Sequence, residues 1–194
     1  MLRRVFTVGF CFALAGAATS AQVNAPARTE QVETGSTIID GHAHVPYRIR
    51  LLPVSSFPQL PPQVARKLDV MGCMVPQTYA AHEPENVISG SFEKKGNNDW
   101  AVLCSLHGVS TLYVFFQSNP ALPIALRHQP DSLWIGKEWG EDYGSAWGIS
   151  TRPASLMRRS DQADHDGIED EFLDHSSMVH YFKEGHWTTL DSTP

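Results

Sequence analysis

Two histidines separated by one residue, His42 and His44, stand in the short apolar stretch Ile38–Val45. On a strand, residues two apart point to the same side, so both imidazoles would share one face. Farther along, Trp134, Trp139, Tyr143 and Trp147 are interleaved with Gly136, Gly140, Gly144 and Gly148. Aromatic faces on glycine-rich loops can stack on sugar rings, and the same residues equally fill a core or cap a sheet. Glu138, Glu141 and Asp142 fall within this stretch, which allows either paired-carboxylate chemistry or a solvated acidic edge. His165, His175, His180 and His186 enrich the C-terminal part, at spacings that match no standard zinc motif. Cys104 precedes His107 by three residues, which on a strand puts the two on opposite faces and argues against a nucleophile–base pair. No G-x-S-x-G elbow, H-E-x-x-H helix or phosphate-binding loop is present.

The string Ile38-Ile39-Asp40-Gly41-His42-Ala43-His44-Val45 resembles the first-strand motif of amidohydrolases, whose His-x-His pair binds a catalytic metal at the top of a barrel strand. That resemblance implies a metal-dependent hydrolase built on His42 and His44. It covers eight residues, and 150 follow His44, whereas the barrel takes about 250. The hydrolase is therefore the alternative reading.

Two other loops resemble the FG-GAP or VCBS type of extracellular repeat, in which a D-x-[DN]-x-D-G-x-x-D loop wraps calcium. The segment from Gly90 to Leu103 keeps the frame of glycine, Phe92, Gly96, Asp99 and an apolar strand. Ser91 and Lys95 replace carboxylates there, which implies a metal-free turn. Asp164-His165-Asp166-Gly167-Ile168-Glu169-Asp170 keeps more of the pattern, with Gln162 at the first ligand position. The resemblance implies an extracellular β-rich recognition domain and calcium held by Asp164, Asp166 and Asp170. Calcium takes six to eight oxygens, so a solvated acidic turn is the competing reading.

The N-terminus indicates a compartment. Arg3 and Arg4 precede an apolar run from Val5 to Ala18, and Thr19-Ser20-Ala21 offer the small residues that a signal peptidase needs. The run is shorter than the roughly 20 helical residues that span a bilayer. Residues 1–21 are expected to be a cleaved signal for export, giving a periplasmic or secreted protein. Arg3-Arg4-Val5-Phe6 partly resembles a twin-arginine motif, so both the general and the twin-arginine routes stay open. Cleavage leaves 173 residues with 13 basic and 21 acidic side chains, a net charge of −8 with neutral histidines. Such a balance disfavours nucleic acid and anionic membrane surfaces as partners. No later apolar segment approaches 18 residues, so no stable membrane insertion is expected. Cys11 leaves with the signal, and Cys73 and Cys104 remain as an even pair. In an oxidising compartment these are expected to form a disulfide, against the alternative of two buried thiols.

Several elements must position these residues. Gln22 to Gly35 is polar and free of aromatics, and residues 22–57 are expected to be a flexible arm or linker, with 36–57 able to form a strand or an extended arm. Pro61-Pro62 are placed to start a helix in which Val64, Leu68 and Met71 share one face, and Gly72 stops it. Asn86–Phe92, Asp99–Leu106 and Ser110–Gln117 are predicted to form an antiparallel meander, with turns at Lys95-Gly96-Asn97-Asn98 and His107-Gly108. Further strands are expected at Leu133–Glu138 and Ala146–Ser150, a brief helix at Pro153–Arg159, and a terminal hairpin of Met178–Lys183 and His186–Leu190. The expected fold is α+β, a mainly antiparallel sheet (meander plus C-terminal hairpin) with one short N-terminal helix, in a single domain over residues 58–194. The expected function is that of an exported, non-enzymatic binding module for a protein or glycan partner, with calcium as its candidate cofactor.

Overall fold

A proline pair and a glycine delimit the single α-helix among the described residues, which in this computed structural model are 28–137, 142–158 and 162–191. The proposed signal, together with Glu138, Trp139 and Glu141, lies outside them. Helix α1 (Pro62–Met71) starts at Pro61, where a fixed φ suits the first turn and the missing N–H costs nothing. It ends where Gly72 takes φ 85°. There the Gly72 N–H donates to the Asp69 carbonyl and the Cys73 N–H to the Leu68 carbonyl, each at 3.0 Å, closing a Schellman motif. Val64 and Leu68 are buried and Met71 is half-buried, as the helical spacing predicts.

Apart from three short 3-10 turns, the remaining elements of the described residues are strands, all paired antiparallel. Seven of them, β1 (Gln31–Ile39), β2 (His42–Pro53), β3 (Met74–Gln77), β4 (Val87–Gly90), β5 (Asp99–Leu106), β6 (Val109–Phe115) and β7 (Ile124–Pro130), form one sheet. Its order is β1-β2-β3-β5-β6-β7, with β4 also paired to β5. A short ribbon, β8 (Ile135–Lys137) with β9 (Tyr143–Ser145), leads into a four-stranded sheet of β10 (Trp147–Arg152), β11 (Gly167–Phe172), β12 (Ser176–Lys183) and β13 (His186–Asp191). The fold is α+β and mainly antiparallel sheet, with the meander and the terminal hairpin in their expected places. No helix of the described residues is long and apolar enough to cross a membrane.

At its centre the large sheet is covered on both faces, which explains the burial of every residue from Asp99 to Ser105 along β5. Trp100, Val102 and Cys104 point toward α1 and meet Leu52, Phe57, Val64 and Leu68. Ala101 and Leu103 point the other way, onto Trp147, Ile149 and Ile168 of the second sheet. Cys73, delivered by the helix cap, forms the expected disulfide with Cys104 across a Cα separation of 5.3 Å.

Three stretches differ from the expectation: the proposed arm, the acidic loop and the brief helix. Residues 31–53 are not a linker but the hairpin β1–β2, turned by Asp40-Gly41, both at positive φ. Val45, Tyr47, Ile49 and Leu51 of β2 alternate into the interior, and burying that face is what fastens the ribbon to the sheet. Strand β7, the outer strand of the sheet, tolerates Pro130 at its end. Strand β11 arises in the acidic run read as a loop, since Ile168 and Asp170 turn inward while Glu169 and Glu171 are half-buried on the other side. The brief helix at 153–159 contracts to a single 3-10 turn, Ala154–Leu156.

Candidate functional site

A cleft of about 590 Å3 opens between β1, the end of α1 and the β5–β6 turn. Val70, Met71 and Leu106 give it apolar walls, and Glu33, Ser105 and His107 supply polar groups. Ser105 and Asp131 are both buried, and the Ser105 hydroxyl donates to Asp131 Oδ2 at 2.6 Å. Asp131 is held in turn by its own N–H, which donates to the Gly108 carbonyl at 2.9 Å. Glu33 reaches the same turn: a Cβ placed on Gly108 would lie 3.5 Å from Glu33 Oε1.

The Glu33 carboxyl has no hydrogen-bond or ion-pair partner among the described residues. Partial burial, and then the charge of Asp131, push it above its ordinary value of 4.5. Tyr47 lies across Gly35, where any side chain would overlap its hydroxyl. Burial raises the Tyr47 phenol, and the charges of Glu33 and Asp131 add to the rise. One cation lines the same cleft: Arg28, whose Nη1 donates to the Asp69 carbonyl at 3.3 Å, at the negative end of the helix.

Because folding raises the Glu33 pKa, its ionisation opposes folding. Its contribution is fully present below pH 4.5 and is lost as pH rises through the raised folded value. Glu33→Gln is therefore expected to match the wild type below about pH 4.5 and to be more stable at neutral pH. Solvent screening keeps the gain under about 1 kcal/mol. Melting curves with the same pH slope for both proteins would contradict this.

A second polar constellation is sealed between the sheets. Asp170, with a side chain 0 % exposed, accepts hydrogen bonds from Arg127 Nη1 at 2.9 Å, His180 Nε2 at 2.9 Å and Trp147 Nε1 at 2.7 Å. Arg127 reaches over from β7, and its guanidinium lies 4.5 Å from the centre of the Trp134 ring. Burial works to raise the Asp170 carboxyl, but the hydrogen bonds and charges of His180 and Arg127 outweigh it and leave it below its ordinary value. His180 and Asp170 have the geometry of a base and its orienting carboxylate. With Arg127 and Trp147 they tie β7, β10, β11 and β12 together, and the group acts as an inter-sheet clamp.

The other residues singled out in the sequence are dispersed. His42 and His44 are both exposed at the tip of the β1–β2 ribbon, His44 with φ 60°. Asp164 Oδ1 accepts from the Tyr181 hydroxyl at 3.0 Å. Asp166 exchanges a pair of bonds with Ser91, its Oδ2 accepting the Ser91 N–H at 3.0 Å and its N–H donating to the Ser91 carbonyl at 3.1 Å. Asp170 belongs to the clamp, so the three carboxylates serve three different partners. Among the described residues no three His, Cys, Asp or Glu side chains gather as a metal site would require. The loop before β5 is organised by Asp99, whose two oxygens accept the Glu93 and Gln117 N–H groups at 2.7 Å each.

Trp134 and Trp147 are interior, stacked on each other with centroids 4.5 Å apart, and Tyr143 is half-buried on β9. Gly136 and Gly144 lie opposite each other on the ribbon β8–β9. They leave a slot for Tyr79, since a Cβ on either would come within 3.1 Å of that side chain. The interleaved glycines thus make room for a tyrosine. The Tyr79 hydroxyl donates to Asp174 at 2.6 Å, and burial together with that carboxylate pushes it up to about 12. His165 is buried, stacked on Tyr181, and His175 stacks on Phe172. Cys104 is spent in the disulfide.

Sequence reasoning missed Glu33, Ser105, Asp131 and Arg127. Only Arg127 left a trace, as a lone cation in the short apolar run of β7. No protein-family model matches this chain, and no curated protein or solved structure matches it significantly.

Proposed function

We propose that this chain is an exported binding module, not an enzyme, and that its cleft receives a basic side chain of a protein partner. The observation that carries the reading is the Glu33 carboxyl, half-buried and without a partner among the described residues, beside the buried Asp131. Two neighbouring carboxylates repel, and a cation brought by a ligand relieves the repulsion. A lysine or arginine suits the place, because its methylene stem can lie on Val70 and Leu106 while its charge meets Glu33. Burial of Trp134 and Trp147 removes two of the rings a glycan could have stacked on, which favours a protein partner. The Ser105 hydroxyl is buried and donates to Asp131, so it serves to position that carboxylate. Export is supported by the disulfide, a bond typical of oxidising compartments.

The test is titration of the protein with short peptides that differ only in one central residue. Lysine and arginine peptides are expected to bind, and Glu33→Gln to weaken them about tenfold, the equivalent of ~1.4 kcal/mol. Equal binding of glutamate peptides, or an unchanged affinity in Glu33→Gln, would reject the reading.

A further inference from the structure

Two opposite charges share the cleft without meeting. Arg28 and Glu33 both line it, yet no ion pair joins them, and neither has a charged partner among the described residues. Arg28 follows the proposed cleavage point, so the mature chain keeps it. Its side chain is exposed, and among the described residues its guanidinium makes a single hydrogen bond, from Nη1 to the Asp69 carbonyl. A guanidinium carries five N–H donors, so most of this one stays open to a ligand. Arg28 Nη2 lies 3.3 Å from where a Cβ on Gly72 would stand, and that same point is 3.5 Å from Leu106 Cδ2. The glycine that ends α1 thus also leaves room for the guanidinium at the Leu106 end of the β5–β6 turn, while Glu33 stands at its Gly108 end. A bare helix C-terminus would repel an anion. Here the last carbonyls of α1 are covered by the Gly72 and Cys73 N–H groups and by Arg28 itself.

A ligand that satisfies such a cleft carries both charges, separated by an apolar stem. A lysine or arginine at the end of a chain does so within one residue: its side chain ends in a cation and its backbone in a carboxylate. We propose that the cleft is specific for a C-terminal lysine or arginine, with Arg28 binding the terminal carboxylate, Glu33 the side-chain cation, and Val70, Met71 and Leu106 packing on the stem between them. This rests on the reading of the cleft as the seat of a basic side chain and adds which residue of the partner enters it. The planar fork of an arginine matches a carboxylate with two parallel hydrogen bonds, which an internal peptide bond cannot accept. A basic residue followed by an acidic one would supply the same charges, but it orders two side chains where the terminal residue orders one.

The test is calorimetric titration of the mature chain with acetylated peptides of one sequence that end in lysine as the free acid, end in lysine amide, or continue past the lysine into glycine. The free acid is expected to bind about tenfold more tightly than the other forms. Arg28→Gln should bring the free acid down to the affinity of the amide, and Arg28→Lys, which keeps the charge but not the fork, should restore part of the difference. Glu33→Gln should weaken the acid and the amide alike. Arg66→Gln, which removes a cation of α1 that does not line the cleft, should keep the preference intact. Equal binding of acid and amide by the wild type would overturn the proposal, and so would a preference that survives Arg28→Gln. Either result leaves the cleft reading standing if Glu33→Gln still weakens the lysine peptides. Failure of every lysine peptide to bind would overturn both.

Discussion

Asp170→Ala is expected to lower the unfolding free energy by about 3–5 kcal/mol, the usual cost of removing one member of a buried charged pair. The carboxylate is the common acceptor of three donors that come from β7, β10 and β12. Their fates after its removal differ. Arg127 has a quarter of its side chain in solvent and can recover water, whereas the Trp147 N–H sits in a residue only 1 % exposed and stays unsatisfied. Arg127→Met should therefore cost less than Asp170→Ala, because Asp170 keeps its bonds from His180 and Trp147. A control lies next door on the same strand. Among the described residues Glu171 bonds only to the Ser150 hydroxyl, and Glu171→Ala should cost under about 1 kcal/mol. Acid denaturation gives a second signature. The Asp170 pKa is lowered on folding, so its contribution is present above pH 3.8 and lost as pH falls through the lower folded value. The variant should lack that part of the acid transition. Urea melts in which Asp170→Ala and Glu171→Ala lose the same stability would refute the clamp.

Opening the Cys73–Cys104 bond should cost a comparable amount. The bond closes a loop across a sequence separation of 31, for which chain entropy predicts about 3–4 kcal/mol. Cys73→Ala with Cys104→Ala adds a packing loss, since both sulfurs are buried against Val64, Leu68 and Val102. Because both residues are at most 1 % exposed, reductant should reach the bond only as the protein opens. Thiol labelling in native buffer is expected to find Cys73 and Cys104 blocked, and labelling after denaturation in reductant to find both free. Two thiols that titrate in the native, unreduced protein would contradict the assignment.

Some of this architecture was legible in the residues and some was not, for identifiable physical reasons. Helix α1 announced itself through Pro61-Pro62, the spacing of Val64, Leu68 and Met71, and Gly72, all local signals that the packing reinforces. The β5–β6 and β12–β13 turns were readable because His107-Gly108 and Glu184-Gly185 tolerate positive φ. Asp40-Gly41 carries the same turn chemistry, and Val45, Tyr47, Ile49 and Leu51 carry the period of a half-buried strand. The polar, largely exposed β1 that completes that hairpin has no such pattern, so its pairing came only with the fold. Strand β11 was masked by its own acids, which suggested a cation where Arg127 and His180 stand instead. The cleft could not be read at all. Glu33, Ser105 and Asp131 come from distant parts of the chain, and no local spacing records that the β5–β6 turn brings them together.

The two-sided burial of β5 has a consequence for assembly. Successive residues of that strand belong to different cores, with Trp100, Val102 and Cys104 on the helix side and Ala101 and Leu103 on the other. A slip of one residue would exchange the two sets and turn Cys104 away from Cys73. The same slip would drive the Trp100 indole into the space of an alanine. Formation of the disulfide is then a proofreading step: oxidation can complete only in chains whose central strand has found its register, and mispaired chains keep a reactive thiol that marks them as unfinished.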